Sequence, residues 1–223
     1  MIRRLQGSVA PVACKSFLGF SLLAGLLIQG VGCSSPGGSA IRAPSVDPQD
    51  AAGRALELYD TDGDGLLSEK ELNACPGLLS ALKRYDADGD SRISLEELAA
   101  KLDRVFASGT GMVSVRCSVI FRGRPLRGAH VRYVPEKFLG ESVLPAEGTT
   151  DDTGDARLMV PDELMPQDQR GLRTMQPGVY RIEITHPNAK LPAKYGGEES
   201  PLGHDVDPTV RGGSYSQFEL SGK

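Results

Sequence analysis

Eight carboxylates stand at regular intervals in two short runs of this chain: Asp60, Asp62, Asp64 and Glu71 in the first, Asp86, Asp88, Asp90 and Glu97 in the second. Three aspartates at alternate positions, closed by a glutamate at the twelfth, can surround one hard cation with oxygen. A calcium ion takes six to eight such ligands at about 2.3–2.6 Å, and the remaining ones are also at hand. Leu66 and Arg92, at the seventh positions, offer backbone carbonyls, while Ser68 and Ser94, at the ninth, can act through a water. Glu71 and Glu97 can each bind with both oxygens.

Helices are needed to hold such loops, and the flanking residues supply their signals. Each loop ends in Ser-x-x-Glu, Ser68 to Glu71 and Ser94 to Glu97, which doubles as a capping box for an exiting helix. Leu67 and Ile93, the eighth residues, are apolar, as two loops paired through a short strand contact require. Ala55, Leu56, Leu58 and Tyr59 precede the first loop, Ala81, Leu82 and Tyr85 precede the second, and Leu98 and Leu102 follow it at helical spacing. The whole arrangement resembles an EF-hand pair, and that resemblance implies two bound Ca2+ ions. The bland alternative is a pair of hydrated acidic turns without an ion.

Two departures from the EF-hand pattern carry consequences. Ser91 stands where the first loop has Gly65, and a side chain in the left-handed region costs roughly 1 kcal/mol, so the second site should be the weaker. Asp60 and Asp86 are only 26 residues apart, and Pro76-Gly77 must end the first exiting helix after little more than a turn. The pair should be compact, with little room to open. Dockerin loops are set equally close but end in aspartate and lack the first entering helix, so the EF-hand is the better match.

The chain is 223 residues long with a net charge of −4. Thirteen acids against seven bases fall between Asp50 and Phe106, so the remainder is slightly basic. The acidity serves the ion sites, and the balance argues against nucleic acid as a partner. Residues 1–32, with Arg3, Arg4 and Lys15 ahead of the apolar run Phe17 to Ile28, read as an export signal. The run ending Gly30-Val31-Gly32-Cys33-Ser34-Ser35 resembles a bacterial lipoprotein cleavage box, which implies Cys33 as the lipidated residue. Cleavage by an ordinary signal peptidase and an uncleaved anchor are the alternatives. Residues 33–50, rich in Ser, Gly and Pro, read as a tether.

After residues 51–106, the helical pair, and a linker at 107–112, the period becomes strand-like over 113–223. Val113 to Phe121 and Ala129 to Val134 alternate, and further strands are expected at Ala156 to Val160, Val179 to Thr185 and Tyr215 to Leu220. The turns Gly123-Arg124-Pro125-Leu126-Arg127-Gly128-Ala129, Gly148-Thr149-Thr150-Asp151-Asp152-Thr153-Gly154 and Pro177-Gly178-Val179-Tyr180-Arg181-Ile182 resemble those of transthyretin-like, or carboxypeptidase-regulatory-like, modules of bacterial envelope proteins. The expected fold class is therefore α+β in two domains, a compact EF-hand pair followed by an antiparallel β-sandwich. A long insertion, Pro161 to Met175, is expected to cover one end of it.

Other candidate chemistry is thinner. Cys75 and Cys117 form an even pair in an exported chain, which invites a disulfide, but Cys117 lies in phase with Val113, Val115, Val119 and Phe121 and equally suits a buried thiol. Asp151, Asp152 and Asp155 fit a hairpin turn better than an ion site. His130, His186 and His204 are too scattered for a zinc set. No nucleophile motif is present, and Val210-Arg211-Gly212-Gly213-Ser214 lacks the tyrosine of the Tyr-Arg-Gly-Ser motif of transthyretin-like hydroxyisourate hydrolases. Arg116, Arg122, Arg124, Arg127 and Arg132 could meet an anionic glycan or headgroup, or simply form a solvated face.

These readings predict a non-enzymatic, calcium-binding lipoprotein of the bacterial cell envelope, periplasmic or surface-exposed. Its partners would be the membrane, through the lipid, and an envelope protein or glycan. A calcium-dependent adhesion or glycan-binding module and a calcium sensor are the alternatives. The methionines, at 1, 112, 159, 165 and 175, lie outside the helical pair, which does not suit a sensor's Met-rich groove.

Overall fold

A computed structural model describes residues 43–222. The expected export segment, Cys33 and most of the tether lie outside them. Among the described residues no helix is long and apolar enough to cross a membrane.

The first helix, α1 (Pro48–Tyr59), starts where Asp47 accepts a hydrogen bond from the Asp50 amide at 2.9 Å, with proline at the first helical turn. It buries Ala51, Ala52, Ala55 and Tyr59 and leaves Leu58 51% exposed, so of the apolar residues before the first loop Leu58 stays out of the core. Then follow β1 (Leu66–Ser68), α2 (Glu69–Leu72), α3 (Pro76–Leu79), α4 (Leu82–Tyr85), β2 (Arg92–Ser94) and α5 (Leu95–Ala107). The exiting helix stops at Leu72, capped by Asn73 and short of Pro76, which instead starts α3 as its first residue, where its missing N–H costs nothing.

Eight strands make up the rest: β3 (Val115–Phe121), β4 (Arg124–Pro125), β5 (His130–Pro135), β6 (Ala146–Thr149), β7 (Asp155–Leu158), β8 (Gly178–Thr185), β9 (Gly203–Val206) and β10 (Tyr215–Leu220). One sheet is built on β3, with β10 on one side and β7 and β4 on the other. The second runs β6-β5-β8-β9 and is antiparallel throughout. The expected all-antiparallel arrangement fails at the chain's end, where β10 lies parallel to β3. No tight hairpin joins these two strands, so their connection does not force an antiparallel pair, and the parallel register sets Cys117, Val119 and Phe121 beside Ser216, Phe218 and Leu220 on the inward face.

The two sheets meet through aromatic side chains. Tyr133 on β5 packs edge-on against Tyr180, with centroids 5.7 Å apart, and against Phe218 of the other sheet at 6.4 Å. On β8 both faces are covered, because Val179 and Tyr180 point to opposite sides and both are fully buried. Beyond the sheet-to-sheet core, the outward face of β8 and β9 receives α3, and the described residues are layered sheet, sheet, helices. The fit there is close. A Cβ on Gly203 would stand 2.0 Å from the Pro76 carbonyl oxygen, and one on Gly77 2.5 Å from Val179 Cγ1. Glu136, buried, accepts from the Gly77 amide and pairs with Arg181 at 3.5 Å. The insertion is pinned at its end by Val113 pairing with Met175, and it buries Met165 and Met175.

Candidate metal centre

In each acidic loop the turn is set by the first aspartate. Asp60 Oδ1 and Oδ2 accept from the amides of Gly63 at 2.7 Å and Gly65 at 2.9 Å. Asp86 does the same for Gly89 at 2.6 Å and Ser91 at 2.9 Å. The chain then turns through a left-handed residue at the sixth position, Gly65 at φ +82° and Ser91 at φ +66°. Asp64 and Asp90 accept from the amides of Leu66 and Arg92 two residues on, which carries the backbone into the short antiparallel pair where Leu67 lies opposite Ile93. Both are fully buried, so the loops share one apolar seam.

The closing glutamate is folded back into the loop. Glu71 Oε1 accepts from Thr61 N at 2.7 Å, Thr61 Oγ1 at 3.0 Å and Asp62 N at 3.3 Å, and Oε2 accepts from Ser68 N and Ser68 Oγ. The Ser68 hydroxyl, with these amides, holds the Glu71 carboxyl down to about 2. Glu97 takes the matching bonds from the amides of Ala87 and Asp88 and from Ser94, but lacks the hydroxyl donor that Thr61 gives Glu71, because Ala87 stands there. Partial burial works to raise its pKa, but the bonds outweigh it and the carboxyl stays below its ordinary value. Each serine is also the N-cap of the following helix, with both halves of the capping box made.

Of the eight carboxylates, six are brought together in two sets. One oxygen each from Asp60, Asp62 and Glu71 lie within 4.8 Å of one another, as do those of Asp86, Asp88 and Glu97. Asp64 faces a different partner, Arg92 Nη1, at 2.6 Å. Arg92 thus spans the two loops with its guanidinium while its carbonyl sits at the seventh position of the second. Every ligand atom in both sets is a hard carboxylate oxygen, which suits calcium rather than a thiophilic metal.

A set of anchoring residues beyond the loops had no motif to reveal it. Arg84 and Tyr85, immediately before Asp86, reach Asp205 on β9: the guanidinium at 3.2 Å, the phenol donating at 3.3 Å. Lys101, one helical turn after Glu97, pairs with Asp207, and both are buried. Both ends of the second loop are therefore tied to the sheet. The signal that could have found them is two aspartates, Asp205 and Asp207, flanking a buried valine at a strand's end.

The remaining candidates separate. Cys75 and Cys117 are free and buried, Cys75 beside Tyr59 and Glu136, Cys117 beside Tyr133. Asp151 caps its own turn through Thr153. His130 faces Glu147, His186 accepts from the amides of Asn188 and Ala189 through Nδ1, and His204 lies buried against Tyr133. Arg127 and Arg132 pair with Asp152 and Glu183.

No curated protein and no solved structure matches the chain. The first loop with its flanking helices is similar to the EF hand, whose family model matches residues 54–76.

Proposed function

We propose that the protein is a calcium-binding lipoprotein of the bacterial cell envelope in which Ca2+ stabilises an EF-hand pair against a transthyretin-like β-sandwich. The observation that carries this is the convergence of three carboxylates in each of two loops joined back to back at Leu67 and Ile93. Asp60, Asp62, Glu71 and the Leu66 carbonyl would hold the first ion, with Asp64 released from Arg92 and Ser68 acting through water. Asp86, Asp88, Asp90, Glu97 and the Arg92 carbonyl would hold the second, with Ser94 acting through water. The ion supplies positive charge to carboxylates that repel one another, so its binding adds to folding stability.

The staple reading is preferred to a sensor because α4 and α5 are tied to β9 by Arg84, Tyr85 and Lys101. Opening the pair would break two ion pairs. A lipid at Cys33 would place the module at the membrane, facing an envelope protein or glycan.

Calcium titration calorimetry on the full chain, with melting curves in calcium and in chelator, tests the proposal. Two bound ions and a rise in melting temperature are expected. Glu71→Gln should cost the tighter site and Glu97→Gln the weaker. Absence of binding heat, together with identical melting in calcium and chelator, would end the calcium reading.

A further inference from the structure

Three exposed side chains stand in one row on the outer face of the β3 sheet. Tyr215 on β10 is the register partner of Arg116 on β3, and Arg116 is the partner of Arg157 on β7. Residues one apart alternate faces, and all three are on the solvent side, their inward neighbours Ser216, Cys117 and Ala156 lying on the core side. Two features of this row are unfavourable for the protein alone. Arginines directly opposite on paired strands repel, and among the described residues neither is in an ion pair. Tyr215 is 48% exposed, among the few large hydrophobic side chains left in water.

The two arginines also line a cleft of about 550 Å3 at the junction of β6 and β7, where Arg173 joins them from the segment before β8. Like the other two, Arg173 is exposed and in no ion pair among the described residues. Three acids line the same cleft: Glu147, which faces His130 at 3.4 Å, Asp151, whose Oδ1 accepts from Thr153 and the Asp155 amide within its own turn, and Asp155. None of them is in an ion pair with the three arginines.

We propose that this cleft and the adjoining Tyr215 bind an acidic saccharide, a pyranose ring bearing a carboxylate. The guanidiniums would take the carboxylate by paired N–H donors, which planar arginine does better than lysine. The tyrosine ring would take the apolar face of the sugar, and the mixed wall of Glu147, His130 and Asp155 would accept and donate to hydroxyls. The size suits a short oligosaccharide. A long polyanion is disfavoured by the chain's net charge of −4.

The test is calorimetric titration of the full chain with a galacturonate trisaccharide, a neutral galactose trisaccharide and inorganic phosphate, in calcium and in chelator. The uronate should bind in both conditions, and the neutral sugar about tenfold more weakly or not at all. Combining Arg116→Gln with Arg157→Gln should weaken uronate binding about tenfold, and Tyr215→Ala about fivefold. Arg124→Gln, on the same sheet, should change nothing. Arg157→Gln alone should melt no lower than wild type, because it relieves a repulsion. No uronate binding, binding only in calcium, phosphate binding as tight as the uronate and indifferent to Tyr215, or a clearly lower melting temperature for Arg157→Gln would each overturn the proposal.

Discussion

Ser91 shows how one residue can rank two otherwise similar sites. Its φ of +66° matches the +82° of Gly65, so the second loop keeps the turn and bears the strain of a side chain in it. That strain is about 1 kcal/mol, part of which the greater freedom of glycine in the unfolded chain would take back. Ser91→Gly should therefore stabilise the protein by roughly 0.5 kcal/mol in urea unfolding and tighten the second calcium site, leaving the first unchanged. The cysteines are a second case at this scale. Burial raises the Cys117 thiol to about 12 and pushes Cys75 up as well, and a protonated, enclosed thiol is inert. A thiol reagent such as DTNB should label neither Cys75 nor Cys117 in the native protein and both after denaturation, read by peptide mapping. A disulfide between them would leave both unlabelled in either state.

At the level of elements, the decisive joint is between α4, α5 and β9. Lys101 and Asp207 are both buried, and an ion pair in that setting is weak evidence for stability but costly to break. Lys101→Met should destabilise the fold by roughly 3 kcal/mol or more, because Asp207 loses its cation. Adding Asp207→Asn should recover most of the loss, since Asn can still accept from the Thr209 amide, which bonds to Asp207 at 2.7 Å. Urea midpoints of the two variants check this. Because Lys101 sits one turn from Glu97 on α5, Lys101→Met should also lower calcium affinity at the second loop more than at the first.

For the whole molecule, the core between the sheets sets a pH dependence. His204 is buried against Tyr133, whose hydroxyl lies 3.1 Å from Nδ1. Burial, assisted by Arg84, lowers its pKa from 6.5 to about 4. The unfolded chain thus binds a proton that the folded one refuses, and stability falls as pH drops from about 6.5 toward 4. Neighbouring Asp205, raised by burial to about 6, acts in the opposite direction over much of that range, since the folded form holds its proton more tightly. The two contributions separate in a comparison with His204→Gln: wild type should lose stability relative to the variant as pH falls from 6.5 to 4, measured by urea unfolding at several pH values.

The acidic loops were legible in the sequence because their chemistry is local. Ligand spacing, left-handed turn and capping box lie within twelve consecutive residues, and the backbone brings them together with little outside help. The longer strands were legible for the same reason, as alternation is a property of the strand itself. Of the short ones β7 was read, at Ala156 to Val160, whereas β4, β6 and β9, two to four residues long, were not. Direction was hidden as well: periodicity tells which residues of β10 face inward, but the same alternation serves a parallel or an antiparallel strand, and the structure has β10 parallel to β3. The anchoring of the second loop and the row of Tyr215, Arg116 and Arg157 join residues scores of positions apart. Such pairings follow from which strands become neighbours, and sequence spacing carries no record of it. The local oxygen cage was the sequence's own doing, whereas its attachment to the sheet and the neighbours of each outward side chain were decided by the tertiary structure.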